Sequence, residues 1–299
     1  MKARHKSNFL NCVASLIGAI YIFVGAQTFA STTQFILLNG YVIVIPVTVN
    51  GMGPFEFVLD TGTNTTLISV EFARAMRLRP VDRVELVTVT GSRIVPRTQL
   101  ESLSVGSKTQ NNLEALFSDL REVRAVKPEI KGVLGMNFLA RFNFLINYTE
   151  RRIVFEDNDE LEKALRGPRL PLEAPIDGED GRGLINRTGN LRLKLDSGSP
   201  TLILFKTGGR ADLNWESDEP PLQARSDLGD QLVRQKRLRC FSLGGVSFFN
   251  LPVALMESKA ASGSRIEDGL LPTSLFKTVY FNSQKKFVMF NPKVAPAIR

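Results

Sequence analysis

Two short stretches hold the residues that could do chemistry, Asp60-Thr61-Gly62-Thr63 and Asp196-Ser197-Gly198-Ser199. Each closes an apolar run, Phe57-Val58-Leu59 in one case and Leu193-Lys194-Leu195 in the other. A lone Asp-x-Gly suits an ordinary turn after a strand. Two such carboxylates brought about 3 Å apart cannot both ionise, so they share a proton. The charged one can then act as base on a water, and the protonated one can donate to the carbonyl oxygen of an amide. Gly62 and Gly198 allow the sharp turn and close backbone approach that this needs. The hydroxyls of Thr61, Thr63, Ser197 and Ser199 can orient the carboxylates.

The rest of the composition narrows the chemistry further. The single histidine, His5, lies in the first thirty residues, so Ser-His-Asp, Cys-His and histidine-metal sites have no ligand in the remainder. The two cysteines are Cys12 and Cys240. Cys240 alone remains in the body of the chain, where its strand-like surroundings predict a buried structural thiol. With no cofactor expected and no metal site, the acids and bases are carboxylates.

The elements that must position the two aspartates come as a repeat. Val49-Asn50, Gly53 and Phe57 find Ile185-Asn186, Gly189 and Leu193 at one offset. Leu103-Ser104-Val105-Gly106 answers Phe241-Ser242-Leu243-Gly244, and Gly132-Val133-Leu134-Gly135 answers Gly269-Leu270-Leu271-Pro272. Landmarks in one order at a near-constant spacing mean an internal duplication of about a domain length. Each copy supplies one carboxylate, so two lobes facing each other would bring Asp60 and Asp196 together.

Along the chain, Phe35 to Leu38 and Tyr41 to Val49 read as strands joined at Asn39-Gly40. Helical spacing runs from Val70 to Leu78 and stops at Pro80. Arg83 to Val95 reads as a hairpin tipped by Gly91-Ser92, and Phe142 to Phe155 as a closing hairpin. An acidic helical piece, Glu156 to Leu165, leads into a Pro- and Gly-rich linker from Gly167 to Gly183. In the second copy, Trp215 to Pro221 has no visible counterpart and is expected as a surface loop. The expected architecture is all-β, with two tandem barrel-like lobes at 31–165 and 166–299 and the active site between them.

Residues 1–30 have the layout of a secretory signal, with Lys2, Arg4 and Lys6 before the apolar Leu10 to Val24 and small residues at Ala26 and Ala30. Export or a periplasmic location is therefore expected, with membrane attachment only if this segment stays uncleaved. Its removal takes three basic residues and no acidic ones, lowering the net charge from +8 to +5 over the remaining 269 residues. The basic residues are scattered, without an aromatic platform or groove-reading helix, so nucleic acid is not an expected partner.

Asp60-Thr61-Gly62-Thr63 with Val133-Leu134-Gly135, and Asp196-Ser197-Gly198-Ser199 with Leu270-Leu271, resemble the signature pairs of the aspartic peptidases. The short lobes, each with a glycine-tipped hairpin, are closer to the retroviral type and its bacterial relatives than to pepsin. The chain resembles two such protomers fused, over about residues 35 to 295. The resemblance implies Asp60 and Asp196 as catalytic dyad, with Thr61 and Ser197 bracing the two loops across the interface. It also implies that the hairpins at Gly91, Ser92 and Gly229 are flaps over a peptide or protein substrate. A monomer with two pseudo-symmetric lobes is the expected state. Two residues depart from the pattern: Pro272 stands where a glycine is usual, and Lys194 sits two residues before Asp196. The lysine is expected to turn its long stem to solvent. The rival reading is a protease-like fold that binds a peptide or envelope partner without turnover. A glycosidase carboxylate pair is disfavoured, since nothing else suggests a sugar cleft.

Overall fold

The computed structural model describes residues 31–89, 91–156, 159–173, 185–188, 191–205, 213–224, 231–256 and 267–294. The expected signal, residues 1–30, and the second hairpin tip at Gly229 lie outside these. Among the described residues no helix is long and apolar enough to cross a membrane.

Strands dominate, as the alternation of β-branched and aromatic residues predicts. In the first half, Val42–Val49 folds back at Asn50-Gly51 onto Met52–Leu59, and Asn50 and Gly51 both take positive φ there. Met52–Leu59 delivers Asp60, and it runs parallel to Gly132–Leu134 with Phe57 opposite Gly132 and Leu59 opposite Leu134. Gly132 is fixed by this approach, because a Cβ there would fall 2.6 Å from the Leu67 carbonyl oxygen. Thr66–Ser69 lies antiparallel to Gly132–Leu134 and parallel to Lys108–Ser118. The hairpin of Asp82–Thr88 and Gly91–Val105 pairs onward with Lys108–Ser118.

The second half repeats the scheme strand for strand. Leu191–Asp196 runs parallel to Gly269–Pro272, with Leu193 opposite Gly269 and Leu195 opposite Leu271. Leu202–Phe205 is antiparallel to Gly269–Pro272 and parallel to Val246–Met256. Thus the duplication read from spacing is also a duplication of pairing. Leu134 and Leu271, the apolar residues beside the two aspartates, are both fully buried.

Four expectations are corrected. Trp215 to Pro221 is not a loop: Trp215–Ala224 is the edge strand paired with Gln231–Leu243, and it is the counterpart of Asp82–Thr88. Its register shifts between Glu219 and Leu222, where an edge strand can carry Pro220-Pro221 without losing a needed N–H. The stretch read as a Pro- and Gly-rich linker also holds a strand, Leu170–Glu173, which pairs with Phe287–Phe290 and with Ile185–Thr188. The first helix ends at Ala75 rather than Leu78. Arg77 takes a left-handed φ of 54°, and the N–H groups of Leu78 and Arg77 donate to the Ala73 and Arg74 carbonyls, closing a Schellman turn. Finally, Cys240 is exposed, while Leu238 and Phe241 on either side of it are buried in the main core.

The halves are joined by a run of six strands, three from each: Ser31–Gln34, Arg152–Glu156, Asn143–Asn147, Thr278–Asn282, Phe287–Phe290 and Leu170–Glu173. At its centre Phe144 faces Phe281 and Leu145 faces Tyr280. The rings of Phe144 and Phe281 stack at 4.6 Å inside the main core. On the opposite face Leu145, Val154, Leu165, Tyr280, Phe287 and Met289 form a second cluster.

Buried polar groups cross the junction on that second face. Tyr280 Oη donates to Glu156 Oε2 at 2.7 Å, and Asn282 Nδ2 donates to Glu162 Oε2 at 2.8 Å. Burial, then the neighbouring Glu156, raises the Tyr280 phenol above its ordinary value, so it stays a neutral donor. Removing that hydroxyl strips a buried carboxylate of a donor. Tyr280→Phe is expected to lower stability by about 2 kcal/mol, as for a hydrogen bond to a charged group, with little change in ring packing. Chemical denaturation read by fluorescence checks this; an unchanged midpoint would show that the phenol does not tie the halves together.

Candidate active site

Each aspartate stands where an apolar strand gives way to a hydroxyl-Gly turn. The Asp60 N–H donates to the Leu134 carbonyl at 3.0 Å, and Asp196 lies opposite Pro272, so the neighbouring strand fixes both backbones. Asp196 is the last residue of its strand, Leu191–Asp196.

The two turns are locked by four crossed hydrogen bonds. The Thr61 N–H donates to Ser197 Oγ and the Ser197 N–H to Thr61 Oγ1, both at 3.0 Å. Thr61 Oγ1 donates to the Leu195 carbonyl and Ser197 Oγ to the Leu59 carbonyl, both at 2.9 Å. Thr61 and Ser197 are buried, so each hydroxyl is both donor and acceptor away from water. The glycines let the carboxyls approach the opposite turn. A Cβ on Gly62 would fall 2.6 Å from Asp196 Oδ2, and one on Gly198 would fall 3.0 Å from Asp60 Oδ2.

The two carboxyls are not equivalent. Asp60 accepts from the Gly62 N–H and from Thr63 Oγ1, each at 2.7 Å. Asp196 accepts from the Gly198 N–H at 2.7 Å, but the Ser199 hydroxyl turns away and donates to the Thr201 carbonyl at 2.8 Å. Donors favour the charged form, so Asp60 is better suited to hold the negative charge. Asp196 is only 8 % exposed. Burial first, and then the charge of Asp60, push its carboxyl well above the ordinary carboxylate range, only partly offset by the Gly198 N–H and by Lys194. The pair can therefore carry one base and one acid at the same time.

Lys194 does not simply leave for solvent, as expected from its long stem. Its Nζ donates to Asn64 Oδ1 at 3.0 Å, four residues past Asp60 in the opposite half. The reason is alternation: Leu193 and Leu195 fill the core, so Lys194 leaves on the face that Asp196 uses.

Three supporting residues carried little sequence signal. Asn137 Oδ1 accepts from the Thr66 N–H and Oγ1, and its Nδ2 donates to the Glu114 carbonyl, which braces the loop after Asp60. A polar residue inside the apolar run Gly132 to Leu139 was the available hint. Tyr148, buried near both aspartates, shares a 2.6 Å hydrogen bond with Thr273 of the other half. Asn64 shows its part only in the structure, where Lys194 of the other half donates to it.

The first hairpin forms, but Gly91 and Ser92 are not its tip: both belong to the returning strand Gly91–Val105. Gly91 pairs with Thr88 at its turn, and Ser92 pairs with Val87 on the exposed face. Val89 packs against the second-half cluster of Phe205, Val233, Ala254, Met256 and Leu270, so the hairpin end reaches across from one half to the other. A separate open hollow of about 230 Å³ beside Ser69, Phe72 and Lys131 is lined by neither aspartate.

Residues 45–138, the stretch that holds Asp60 and Gly135, match the model of a family described as aspartyl protease. A crystal structure of a retropepsin-like aspartic protease from Rickettsia conorii is similar at 19 % identity and a TM-score of 0.32, covering 42 % of this chain and 90 % of that one. At that score the superposition carries no weight by itself. No curated relative matches the chain. The family match and the all-β fold support a peptidase.

Two outcomes follow from the geometry. Thr61→Val leaves the Leu195 carbonyl and the Ser197 N–H without their buried partners, and is expected to cost about 2–4 kcal/mol in denaturant unfolding. Wild-type stability in that variant would show that the crossed bonds do not hold the turns. For Asp196→Asn the sign is opposite. The native state binds its proton more tightly than the unfolded chain does, so wild-type stability falls as pH rises from the ordinary value of 3.8 through the raised one. The variant lacks this loss. It should be the more stable protein near neutral pH and should lose that advantage in acid. Thermal melts across pH check it, and a variant less stable at neutral pH would contradict the raised carboxyl.

Proposed function

We propose that this chain is an aspartic endopeptidase that hydrolyses peptide bonds with a water held between Asp60 and Asp196. The observation that carries the reading is the crossed Thr61–Ser197 lock, which holds the turns of Asp60 and Asp196 against each other. Asp60 takes a proton from the water as its oxygen attacks the carbonyl carbon, and Asp196 gives its proton to the carbonyl oxygen. The resulting gem-diol collapses when Asp60 passes its proton to the amide nitrogen. The C–N bond breaks and one diol hydroxyl returns a proton to Asp196, restoring the starting pair. Thr61, Gly62, Thr63, Ser197 and Gly198 hold the geometry, and the hairpin at Gly91 and Ser92 serves as a flap over an extended peptide. The basic, apolar N-terminal segment supports export, so the substrates are polypeptides outside the cytoplasm.

A second reading, a binding protein without turnover, is favoured by Pro272. In the first half the Gly135 N–H donates to Thr66 Oγ1 at 3.3 Å, and proline has no such donor. One experiment separates the two. The purified mature protein is incubated with a diverse peptide mixture at several pH values, with and without a transition-state-mimicking aspartic protease inhibitor. Inhibitor-sensitive cleavage is expected, falling at high pH as Asp196 loses its proton. Asp60→Asn and Asp196→Asn should each abolish turnover while keeping the fold, since each removes half of one acid–base device. Binding without cleavage supports the second reading, and near-normal cleavage by either variant sinks the dyad.

A further inference from the structure

We infer that Lys194, beside Asp196 and in contact with Asn64, forms a subsite for an acidic residue of the substrate, an Asp or Glu close to the scissile bond. The inference rests on the peptidase reading and adds a substrate class to it.

The position of the cation is set by the strand. Leu191–Asp196 is extended, Leu193 and Leu195 are fully buried on one face, and Lys194 and Asp196 share the other. Asp196 points at Gly62 of the first half. Lys194 leaves on the same face and meets Asn64, so its ammonium spans the junction of the two halves four residues past Asp60.

The equivalent residue of the first half shows what a merely structural choice looks like. Val58 is 4 % exposed, packed with Val42, Val44, Leu120, Ile130 and Val133, where no ligand can touch it. Lys194 is only partly covered, and it opposes the proton that Asp196 must hold. A cation in that place works against the acid of the pair. A bound substrate carboxylate next to Lys194 would neutralise it and relieve that opposition when the peptide is in place. An ammonium has three N–H donors and a flexible stem, so it can turn to a carboxylate while keeping its contact with Asn64. Covered by substrate, such a charged hydrogen bond is stronger than an open surface pair. The effect expected is about tenfold, between that of an exposed surface pair and that of a hydrogen bond to a charged group.

The test uses matched peptides that carry Glu or Gln at each of the two residues on either side of a bond the wild type cleaves. Each pair is assayed with wild type, Lys194→Arg and Lys194→Met, and the Glu-to-Gln ratio of kcat/KM is read. The expected result is a ratio of about ten at one position in wild type, kept largely in Lys194→Arg and close to one in Lys194→Met. The ratio should also shrink as salt rises. If wild type cleaves no peptide at all, the peptidase reading itself fails. If it cleaves Glu and Gln peptides alike, or if the preference survives in Lys194→Met, the acidic subsite is overturned while the peptidase stands. The same holds if Lys194→Met shifts the pH profile and leaves the ratio untouched, which would make the lysine a modulator of Asp196 alone.

Discussion

Everything at the centre of this molecule depends on four hydrogen bonds that exchange partners between two turns. Thr61 and Ser197 each donate a backbone N–H and a hydroxyl to the opposite turn. No one of these bonds is strong in net terms, but leaving a buried donor or acceptor unmet costs more than making the bond gains. The two turns therefore cannot separate without exposing a whole set of orphaned groups. That constraint forces two carboxyls into proximity that their charges alone would oppose. It also explains the glycines, since a side chain at Gly62 or Gly198 would occupy the space of the opposite carboxyl.

Symmetry of backbone does not become symmetry of chemistry. Thr63 gives its hydroxyl to Asp60, whereas the equivalent Ser199 satisfies a carbonyl of its own loop. One difference in a hydroxyl's direction leaves Asp60 with an additional donor and Asp196 with a drier, less supported environment. A duplicated chain can in this way reach what a dyad needs, which is two similar groups held in different protonation states.

Much of this was legible in the sequence because sterics leave few options. Close strand approach demands Gly132 and Gly269, tight turns beside the aspartates demand Gly62 and Gly198, and the repeat spacing makes each copy vouch for the other. What was not legible depends on partners far away in the chain. Trp215–Ala224 becomes a strand despite two prolines because an edge position beside Gln231–Leu243 was available. Cys240 is exposed although Leu238 and Phe241 are both buried, and burial that breaks the two-residue alternation cannot be read from a short run of mixed residues. The path of Lys194 could not be read at all, since Asn64 belongs to the other half. The roles of Tyr148 and Asn137 likewise appear only when the halves meet.

The central claim is that Asp196 holds a proton because it is buried beside a charged Asp60. Carbon-13 NMR of aspartate side-chain carboxyls, titrated in wild type and in Asp60→Asn, measures this without reference to any substrate. The account predicts that one carboxyl, assigned to Asp196 by its absence in Asp196→Asn, titrates well above the ordinary 3.8 in wild type. In Asp60→Asn it should fall part of the way back, because the neighbouring charge is gone while burial remains. A wild-type protein in which every aspartate titrates in the ordinary range, or in which Asp60→Asn leaves the raised carboxyl unmoved, would contradict the shared-proton pair.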